Sequence, residues 1–306
     1  MIERAKSLNE RILGGDTILL AEISPPRGVD SAQVRDAARR LAGKVHAVGI
    51  SDNRERVSMA AMAAASLVAA EGLEPILHVT TRDRNRIALV SEALGAQALG
   101  IRNLLCTSGT HQTLSRFRAA KNVYDIDCIQ LLKTYAGLPS DGGLLGEEGG
   151  LDGAGPFCLG AVASPEADPL ELQVSRLVKK TRAGAKFLVT QPVFDLERFG
   201  VWWQEVARRG IHEKVAILAG IEPLCNGSLA DAQAAKRPLA RIPASMLQRI
   251  LSSSDPVAQR ASAIEIALET IERLSSFRGL RGVSISGDGD LDAALVVIEK
   301  SGLGSN

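Results

Sequence analysis

Apolar runs rich in β-branched residues recur along the chain at intervals of roughly 30 residues, and segments with helical spacing of apolar residues separate them. This alternation is typical of repeated β-α units that build a parallel sheet. Eight runs have the length and composition of strands: Thr17–Ile23, Val45–Ser51, Glu74–Thr80, Ile101–Thr107, Phe157–Ala163, Ala185–Gln191, Lys214–Gly220 and Gly282–Ser286. Eight strands with intervening helices favour an α/β fold of the (β/α)8 TIM-barrel type over an open, doubly wound sheet.

The helical segments between these strands include 30–42, 54–71, 82–94, 168–183 and 196–209. Two stretches interrupt the repeat. A glycine-rich segment over 138–156 is expected to be a loop before the fifth strand, and its glycines match no phosphate-binding motif. A mostly helical stretch over 230–277 is expected to be an insertion between the seventh and eighth strands. No linker divides the chain, so we expect residues 1–306 to form a single barrel domain with extra helices.

Composition narrows the classes of partner. The 306 residues are 45% hydrophobic, which supplies ample core and argues against disorder. Lys and Arg number 36 and Asp and Glu 35, so the net charge of +1 favours neither a nucleic-acid partner nor an anionic membrane surface. No apolar stretch reaches the roughly 20 residues that cross a bilayer, and the N-terminal residues resemble an amphipathic helix more than a signal peptide. We therefore expect a cytoplasmic protein without membrane insertion.

The cysteines give no sign of a metal centre. They stand far apart in the sequence, without the spacing of metal ligands: Cys106, Cys128, Cys158 and Cys225. We interpret them mostly as reduced core thiols, and we predict no metal site.

Candidate site residues are sought where the predicted strands end, because ligands bind at the carboxyl ends of the strands in such barrels. The polar residues at these positions are Glu22, Asp52, Asn53, His78, Thr80, Thr107 to His111, Ser164, Glu166, Gln191 and Glu222. Glu22 ends an otherwise apolar strand, where removal of water favours the protonated form that a general acid needs. The alternative is a structural carboxylate that pairs with Arg27 or Arg102.

Three further residues each allow two interpretations. His78 is either a ligand-contacting group or a hydrogen-bonded core histidine. Gln191 offers a donor and an acceptor to a flat heteroaromatic ligand such as a pterin or a flavin, or it bonds to neighbouring backbone. Lys180 lies in the last turn of a predicted helix, where the helix dipole favours cations, and a phosphate contact is the alternative. The basic run 82–86 is expected to begin a helix, with its arginines solvated or facing phosphate.

Several segments, in this order, resemble the methylenetetrahydrofolate reductase family over about residues 17–303. They are AEISPPRG, GIRNLLCTSGTHQ, ASPEADP, AGAKFLVTQPVFD, and AILAGIEPL followed by ARIPASM. The details SDN, TTRDRNR and NVYDIDCIQLL are most similar to the short reductases of acetogenic and related anaerobic bacteria.

The resemblance implies a flavin at the carboxyl face of the barrel, FAD with FMN as the alternative, and a tetrahydrofolate substrate stacked on it. It implies interconversion of 5,10-methylenetetrahydrofolate and 5-methyltetrahydrofolate in one-carbon metabolism. The catalytic subunit would work in a larger complex with a small partner subunit and electron-transfer proteins or NAD(P)H, or as a homo-oligomer. Two alternatives stay open: a non-redox subunit that binds folate or docks electron-transfer partners, and a flavin-free NAD(P)H-dependent reductase.

Individual positions carry implied roles. Glu22 matches the general acid of the family, and Gln191 matches a folate-contacting residue. The positions that match flavin contacts are Ser51, His78, Gly109 and Lys180, the last near the phosphate.

The chain departs from the family pattern at four positions. Thr110 replaces an Asp that contacts the pterin and tunes the flavin. The neutral hydroxyl lacks the charge-assisted bond to the pterin, and it makes a reduced, anionic flavin easier to form. Ser108 stands where many relatives have Arg, Ser164 where they have Tyr, and Gln173 where some have Asp. We expect Ser108, Thr110 and Ser164 to contact the cofactor, and Thr110 also to contact substrate together with Glu22 and Gln191.

Overall fold

Eight strands pair in chain order, each parallel to the next, and the eighth pairs with the first, so that the sheet closes on itself. They are β1 (Ile18–Ile23), β2 (Ala47–Ile50), β3 (Pro75–Thr80), β4 (Asn103–Thr107), β5 (Cys158–Ala163), β6 (Phe187–Pro192), β7 (Ala216–Ile221) and β8 (Gly282–Ser286). The structure is a computed structural model that describes residues 5–54, 57–114, 118–141, 151–233 and 241–304. The predicted (β/α)8 barrel is confirmed, with the strands within a few residues of their expected positions.

Helices connect the strands around the outside of the barrel. In the described ranges they are α1 (Leu8–Gly14), α2 (Ser31–Leu41), α3 (Ala61–Ala70), α4 (Arg86–Ala98), α5 (Cys128–Asp141), α6 (Leu170–Arg182), α7 (Leu196–Arg208), α8 (Asn226–Gln233), α9 (Ala244–Ile250), α10 (Pro256–Leu274) and α11 (Leu291–Lys300). None of these helices has the length and apolar character needed to cross a membrane.

Two apolar layers hold the barrel together, because successive residues of a strand point to opposite faces. On β1, Leu19, Ala21 and Ile23 pack outward against the helices. Ile18 and Leu20 point inward and join the interior cluster. Helix α1 adds its buried Leu8 and Ile12 to that cluster, and the Leu8 N–H donates to Glu74 Oε2 at 2.9 Å. The interior of the barrel near the amino ends of the strands is therefore filled with apolar side chains.

Two helices begin later than the sequence predicts. Helix α3 begins at Ala61 rather than Arg54, because Asn53 adopts a positive φ of 43° and its side chain accepts from the Ser58 N–H at 3.1 Å. Helix α4 begins at Arg86 rather than Arg82, because the Asn85 side chain caps it by accepting from the Ala88 N–H at 3.0 Å. Residues 51–54 and 81–85 are thus available to the carboxyl face of the barrel.

The two predicted interruptions fall on different kinds of structure. Helix α5 continues through Asp141, so the first residues of the expected glycine-rich loop are helical. Residues 142–150 lie outside the described residues, and 151–156 contain a turn without regular structure. Helices α9 and α10 and the end of α8 occupy the described part of 230–277.

Gly160 on β5 is a packing requirement of the barrel interior, since a Cβ built there would lie 2.2 Å from the buried ring of Phe187. We expect Gly160→Ala to lower the free energy of unfolding by about 1–3 kcal/mol, because the ring has no space to move into. Urea unfolding measures the change. Gly28→Ala, at a position with open space around it, is the matched control. Equal losses in the two variants would contradict the assignment.

Candidate functional site

A cavity of about 910 Å³ lies at the carboxyl end of the barrel, where ligands bind in this fold. Its wall includes every residue to which the family resemblance gives a contact: Glu22, Ser51, His78, Ser108, Gly109, Thr110, Ser164, Lys180 and Gln191. The fold thus brings residues from six strand ends and one helix to a single place. Four other polar residues of the strand-end survey lie outside the cavity wall: Asn53, His111, Glu166 and Glu222.

Glu22 lies at the end of β1, where the register pairs it with Gly49 on β2 and Ser286 on β8. Its side chain is 20% exposed and faces Arg54, whose Nη1 is 3.5 Å from Glu22 Oε1. The sequence offered a structural alternative for Glu22, an ion pair with Arg27 or Arg102. That alternative names the wrong partner, because the arginine beside Glu22 is Arg54. Arg102 precedes β4 at the opposite end of the barrel, where it donates to backbone carbonyls. Because Arg54 lies beside Glu22, the surroundings of this carboxylate are more polar than its apolar strand suggests.

His78 projects from β3 into the cavity across Gly49. A Cβ at Gly49 would lie 2.8 Å from His78 Nε2, so only glycine leaves room for the imidazole in this position. Burial lowers the pKa of His78, and the nearby carboxylates of Glu22 and Asp52 oppose this effect only in part. The ring is therefore neutral at neutral pH and offers one donor and one acceptor.

The turn formed by residues 108–110 follows β4 and depends on glycine. Gly109 has φ of 76°, and a Cβ there would lie 2.5 Å from Thr80 Cγ2. Its N–H donates to Thr107 Oγ1 at 3.2 Å, and Ser108 Oγ accepts from the N–H of Cys128 at 3.3 Å. The backbone of the turn thus packs directly against the neighbouring strand end.

The side chain of Arg82 hydrogen-bonds to the backbone of this turn. Its guanidinium donates to the Thr110 carbonyl at 3.2 Å and to the Asn53 carbonyl at 2.8 Å, and it pairs with Asp83 at 2.7 Å. The expectation that this arginine is solvated is wrong, because the side chain is buried and connects the loops that follow β2, β3 and β4. A phosphate contact of Arg82, which lines the cavity, stays a prediction.

Asp52 forms a second buried connection in the same wall. Its carboxylate accepts from Arg84 Nη1 at 2.6 Å and from the Thr80 N–H at 3.0 Å, and Arg84 Nε lies 2.9 Å from Glu92 Oε2. Burial works against the charged form of Arg84, but the hydrogen bond with Asp52 and the neighbouring carboxylates outweigh it and raise the pKa of Arg84. This triad fixes the loop after β3 to the end of β2.

A β-bulge on β6 places Gln191 on the cavity wall. The register with β7 shifts between Val189 and Pro192, and Thr190 Oγ1 donates to the Gln191 carbonyl at 2.7 Å while accepting from the Gly220 N–H at 2.9 Å. Bulges of this kind redirect a side chain beside functional sites. The backbone of Gln191 is thus fixed, and the residue lines the cavity.

Lys180 projects inward from α6, whereas its neighbour Lys179 is exposed. The ammonium donates to the Val162 carbonyl, and burial lowers the pKa of Lys180. Arg176, one helical turn earlier, and Arg118 line the same cavity. These cations form a basic part of the wall that can hold an anionic group.

Sequence reasoning missed several cavity residues, above all Arg54, Arg118 and Arg176. The strand-end survey takes Asp52 and Asn53 after the second strand and does not include the next residue, Arg54. The helical repeat would have found Arg176, since it lies four positions before Lys180 on the same helix face.

The rest of the cavity wall combines polar and aliphatic side chains. Within the described ranges, no Phe, Tyr or Trp lines the cavity, and no cluster of three His, Cys, Asp or Glu residues is arranged to hold a metal ion. The cysteines are buried as free thiols, and burial raises the pKa of each: Cys106, Cys128, Cys158 and Cys225.

The fold and the cavity define a (β/α)8-barrel protein with a small-molecule site at the carboxyl face of its strands. The model of the methylenetetrahydrofolate reductase family matches residues 7–285, so the chain belongs to that family, and the prediction from the sequence motifs is confirmed.

Two similar proteins give this assignment context. A Caenorhabditis elegans protein named probable methylenetetrahydrofolate reductase (NADPH) is 24% identical over 213 residues, which cover 70% of this chain and 29% of that protein. The chain thus spans less than a third of the length of this curated relative. An uncharacterized protein from Clostridium thermocellum, described as binding two copies of 5-methyl-5,6,7,8-tetrahydrofolic acid, has a TM-score of 0.67 at 14% identity, covering 96% of this chain and 98% of that one. This likeness shows a shared fold.

The turn at Gly109 yields a test that uses a second glycine as its control. Gly109 and Gly153 both have positive φ, but a Cβ at Gly153 meets open space. Gly153→Ala is expected to cost about 1 kcal/mol of stability for the left-handed backbone alone, and Gly109→Ala clearly more, because the clash with Thr80 is added. Urea unfolding of both variants measures the difference. Losses of the same size would mean that the turn does not pack as described.

His78 makes stability depend on pH. Burial holds the pKa of His78 below its ordinary value of 6.5, so the unfolded chain binds the proton more readily. The stabilisation is fully present above pH 6.5 and is lost as pH falls through the lower, folded pKa. We expect His78→Asn to lose less stability than the wild type between pH 7 and pH 5, measured by urea unfolding at each pH. Val29→Ala, which changes an exposed side chain that does not titrate, should retain the wild-type slope.

Proposed function

We propose that the chain catalyses the flavin-dependent interconversion of 5,10-methylenetetrahydrofolate and 5-methyltetrahydrofolate, as the catalytic subunit of a larger assembly. The observation that carries the proposal is the meeting of Glu22, Gln191 and the turn 108–110 on one cavity wall, in a chain whose family match runs over residues 7–285. The Clostridium thermocellum protein, which shares the fold and is described as binding 5-methyl-5,6,7,8-tetrahydrofolic acid, supports a folate ligand for such a barrel.

The chemistry of the cavity fits a flavin, with FAD proposed and FMN as the alternative. A flavin ring has polar edges that need donors and acceptors, and Ser51, His78 and Thr110 supply both. Its phosphate needs cations, and Lys180 and Arg176 supply them. The close approach of backbone at Gly109 is available only because the residue has no side chain. A bound flavin supplies the hydride that protein side chains cannot.

The cavity also has room for the folate. Its volume of about 910 Å³ is near the upper end of the range for small-molecule pockets, roughly 300–1,000 Å³. Gln191 offers the pterin a donor and an acceptor in fixed orientation, because the bulge on β6 holds its backbone. The Thr110 hydroxyl provides a neutral hydrogen bond on the other side of the cavity.

Glu22 has the proton-transfer role in this proposal. Its carboxyl group gives a proton to a ring nitrogen of the bridged folate as the bond between that nitrogen and the methylene carbon breaks, and the electron pair of that bond remains on the nitrogen. The resulting iminium carbon accepts hydride. In the reverse direction the Glu22 carboxylate takes the proton back. The electrons come from electron-transfer proteins through a small partner subunit, or from NAD(P)H.

A non-redox folate-binding subunit is the second candidate. It is favoured by the neutral Thr110 at the position of the family Asp, together with a cavity wall whose described residues include no Phe, Tyr or Trp. The two functions differ in whether the protein holds a flavin that methyltetrahydrofolate can reduce.

The absorption spectrum of the purified protein tests the first candidate. We expect a yellow protein whose flavin absorbance falls when methyltetrahydrofolate is added under anaerobic conditions. Glu22→Gln should keep the flavin spectrum and lose at least about 100-fold in the rate at which 5,10-methylenetetrahydrofolate forms, because the proton acceptor for ring closure is gone. Glu299→Gln, on the exposed surface of α11, should behave as the wild type.

Three outcomes would replace the proposal. A colourless protein that cannot be reconstituted with FAD or FMN but binds methyltetrahydrofolate supports the non-redox subunit. Direct transfer of labelled hydride from NAD(P)H without a flavin spectrum supports a flavin-free reductase. Failure to bind methyltetrahydrofolate at all contradicts each of these functions.

A further inference from the structure

Arg54 stands between two carboxylates at the mouth of the cavity. Its Nη1 lies 3.5 Å from Glu22 Oε1 and 3.3 Å from Asp288 Oδ2. One nitrogen therefore faces an acid at the end of β1 and another in the loop after β8. Both distances are long for charge-assisted hydrogen bonds, and the side chains of Glu22, Asp288 and Arg54 are 20%, 26% and 34% exposed. The three residues form a loose charge cluster, not a closed ion pair.

We infer that Arg54 and Asp288 are positioning residues that act as a counter-charge pair, allowing Glu22 to gain and lose a proton without leaving its place in the cavity. When Glu22 is ionised, the cluster holds two negative charges and one positive charge. When Glu22 is protonated, Arg54 and Asp288 remain as a neutral pair. The use of this pair in acid catalysis rests on the proposed function, whereas the charge arrangement itself does not.

Arg54 and Asp288 have opposite effects on the protonation of Glu22. Without Asp288, Arg54 would have Glu22 as its only carboxylate partner in the cluster, and a neighbouring cation favours the ionised form of an acid. Without Arg54, two carboxylates would face each other, and a neighbouring anion favours the protonated form. With both present, the two influences on Glu22 act in opposite directions.

The backbone keeps the cluster together. The N–H of Gly287 donates to the Glu22 carbonyl at 2.8 Å, and the Asp288 N–H donates to Ser286 Oγ at 3.3 Å. Asp288 is thus two residues beyond Ser286, the register partner of Glu22. Arg54 follows the fixed turn at Asn53, which Arg82 holds by its carbonyl. The Ser51 N–H donates to the Ile23 carbonyl at 3.1 Å, so the loops after β2 and β8 are both tied to the end of β1 by backbone hydrogen bonds that do not involve the charges of the cluster.

Two other titratable groups lie beside the cluster, His78 on β3 and Asp52 after β2. Both carboxylates of the cluster, together with Asp52 and Arg54, act on the imidazole, but burial dominates and lowers the pKa of His78. His78 is therefore uncharged in the neutral range. Asp52 is buried against Arg84. The charges of Arg54 and Asp288 are therefore the ones that act on Glu22 in opposite directions.

Titration of Glu22 in the full chain tests the inference. The ¹³C signal of its side-chain carboxyl carbon is followed against pH, and its absence in Glu22→Gln assigns it. We expect Arg54→Gln to move the midpoint to higher pH by about one unit, because the cation is lost. We expect Asp288→Asn to move it to lower pH, because Arg54 then faces one carboxylate of the cluster instead of two. Shifts in opposite directions are not produced by general loosening of the site.

Two further variants complete the design. Arg54→Lys keeps the charge and should return the midpoint most of the way from that of Arg54→Gln to the wild-type value. Arg249→Gln removes an exposed guanidinium that pairs with Glu269 on α10, and should leave the midpoint of Glu22 unchanged. Circular dichroism and thermal unfolding establish that each variant is folded. Shifts in the same direction, or no shift in either cavity variant, overturn the inference.

The pH dependence of methyltetrahydrofolate oxidation, measured with an artificial electron acceptor, separates this inference from the proposed function. If both stand, its midpoint moves in the two variants as the carboxyl signal does. If the signal moves in opposite directions but the wild-type protein neither binds nor oxidises methyltetrahydrofolate, the counter-charge pair stands and the proposed function fails. If the wild type is active and the signal does not move, the inference fails and the proposed function stands.

Discussion

Closure of the sheet forces every second residue of each strand into an interior with space for few side chains. The positions of the apolar core and of the cavity depend on which side chains occupy this interior. At the amino end it is filled by Leu8, Ile18, Leu20 and Phe187, and glycine at position 160 leaves the space that the Phe187 ring occupies. Towards the carboxyl end the inward positions are polar. The same alternation therefore produces a rigid base and an open cavity.

The cavity owes its shape to connections between loops as much as to the strands. Arg82 bonds to carbonyls in the loops after β2 and β4, and Asp52 binds Arg84 from the loop after β3. On the other side, the buried carboxylate of Glu166 accepts from the N–H groups of Phe194, Asp195 and Arg241. Burial raises the pKa of Glu166, although these three hydrogen bonds oppose the effect. Buried polar groups with several partners fix loops that lack regular structure.

The sequence is sufficient to predict the architecture, because the repeat of apolar runs reports directly which residues face the sheet and the helices. The candidate residues at strand ends, such as Glu22 and Gln191, could be found for the same reason, since a strand end has a known place in a barrel. The arginines could not. The carbonyl groups that Arg82 binds lie 28 and 29 positions away in sequence, and the carboxylates beside Arg54 lie 32 and 234 positions away. No local pattern records such contacts.

The starts of α3 and α4 could not be predicted either, because apolar spacing continues into segments that capping and ion pairs hold outside the helix. Asn85 and Asn53 decide these boundaries through side-chain hydrogen bonds to nearby backbone. The error is informative, since the residues thereby released from helices are the ones that approach the cavity.

Helix α1 gives the barrel a property that the strands alone would not. Its Leu8 and Ile12 occupy the amino end of the interior, so within the described part of the chain the cavity communicates with solvent at the carboxyl face. Under the proposed function, the molecules that exchange electrons in this cavity would enter from that face. The product of one half of the reaction would then leave through the carboxyl face before the reactant of the other half takes its place.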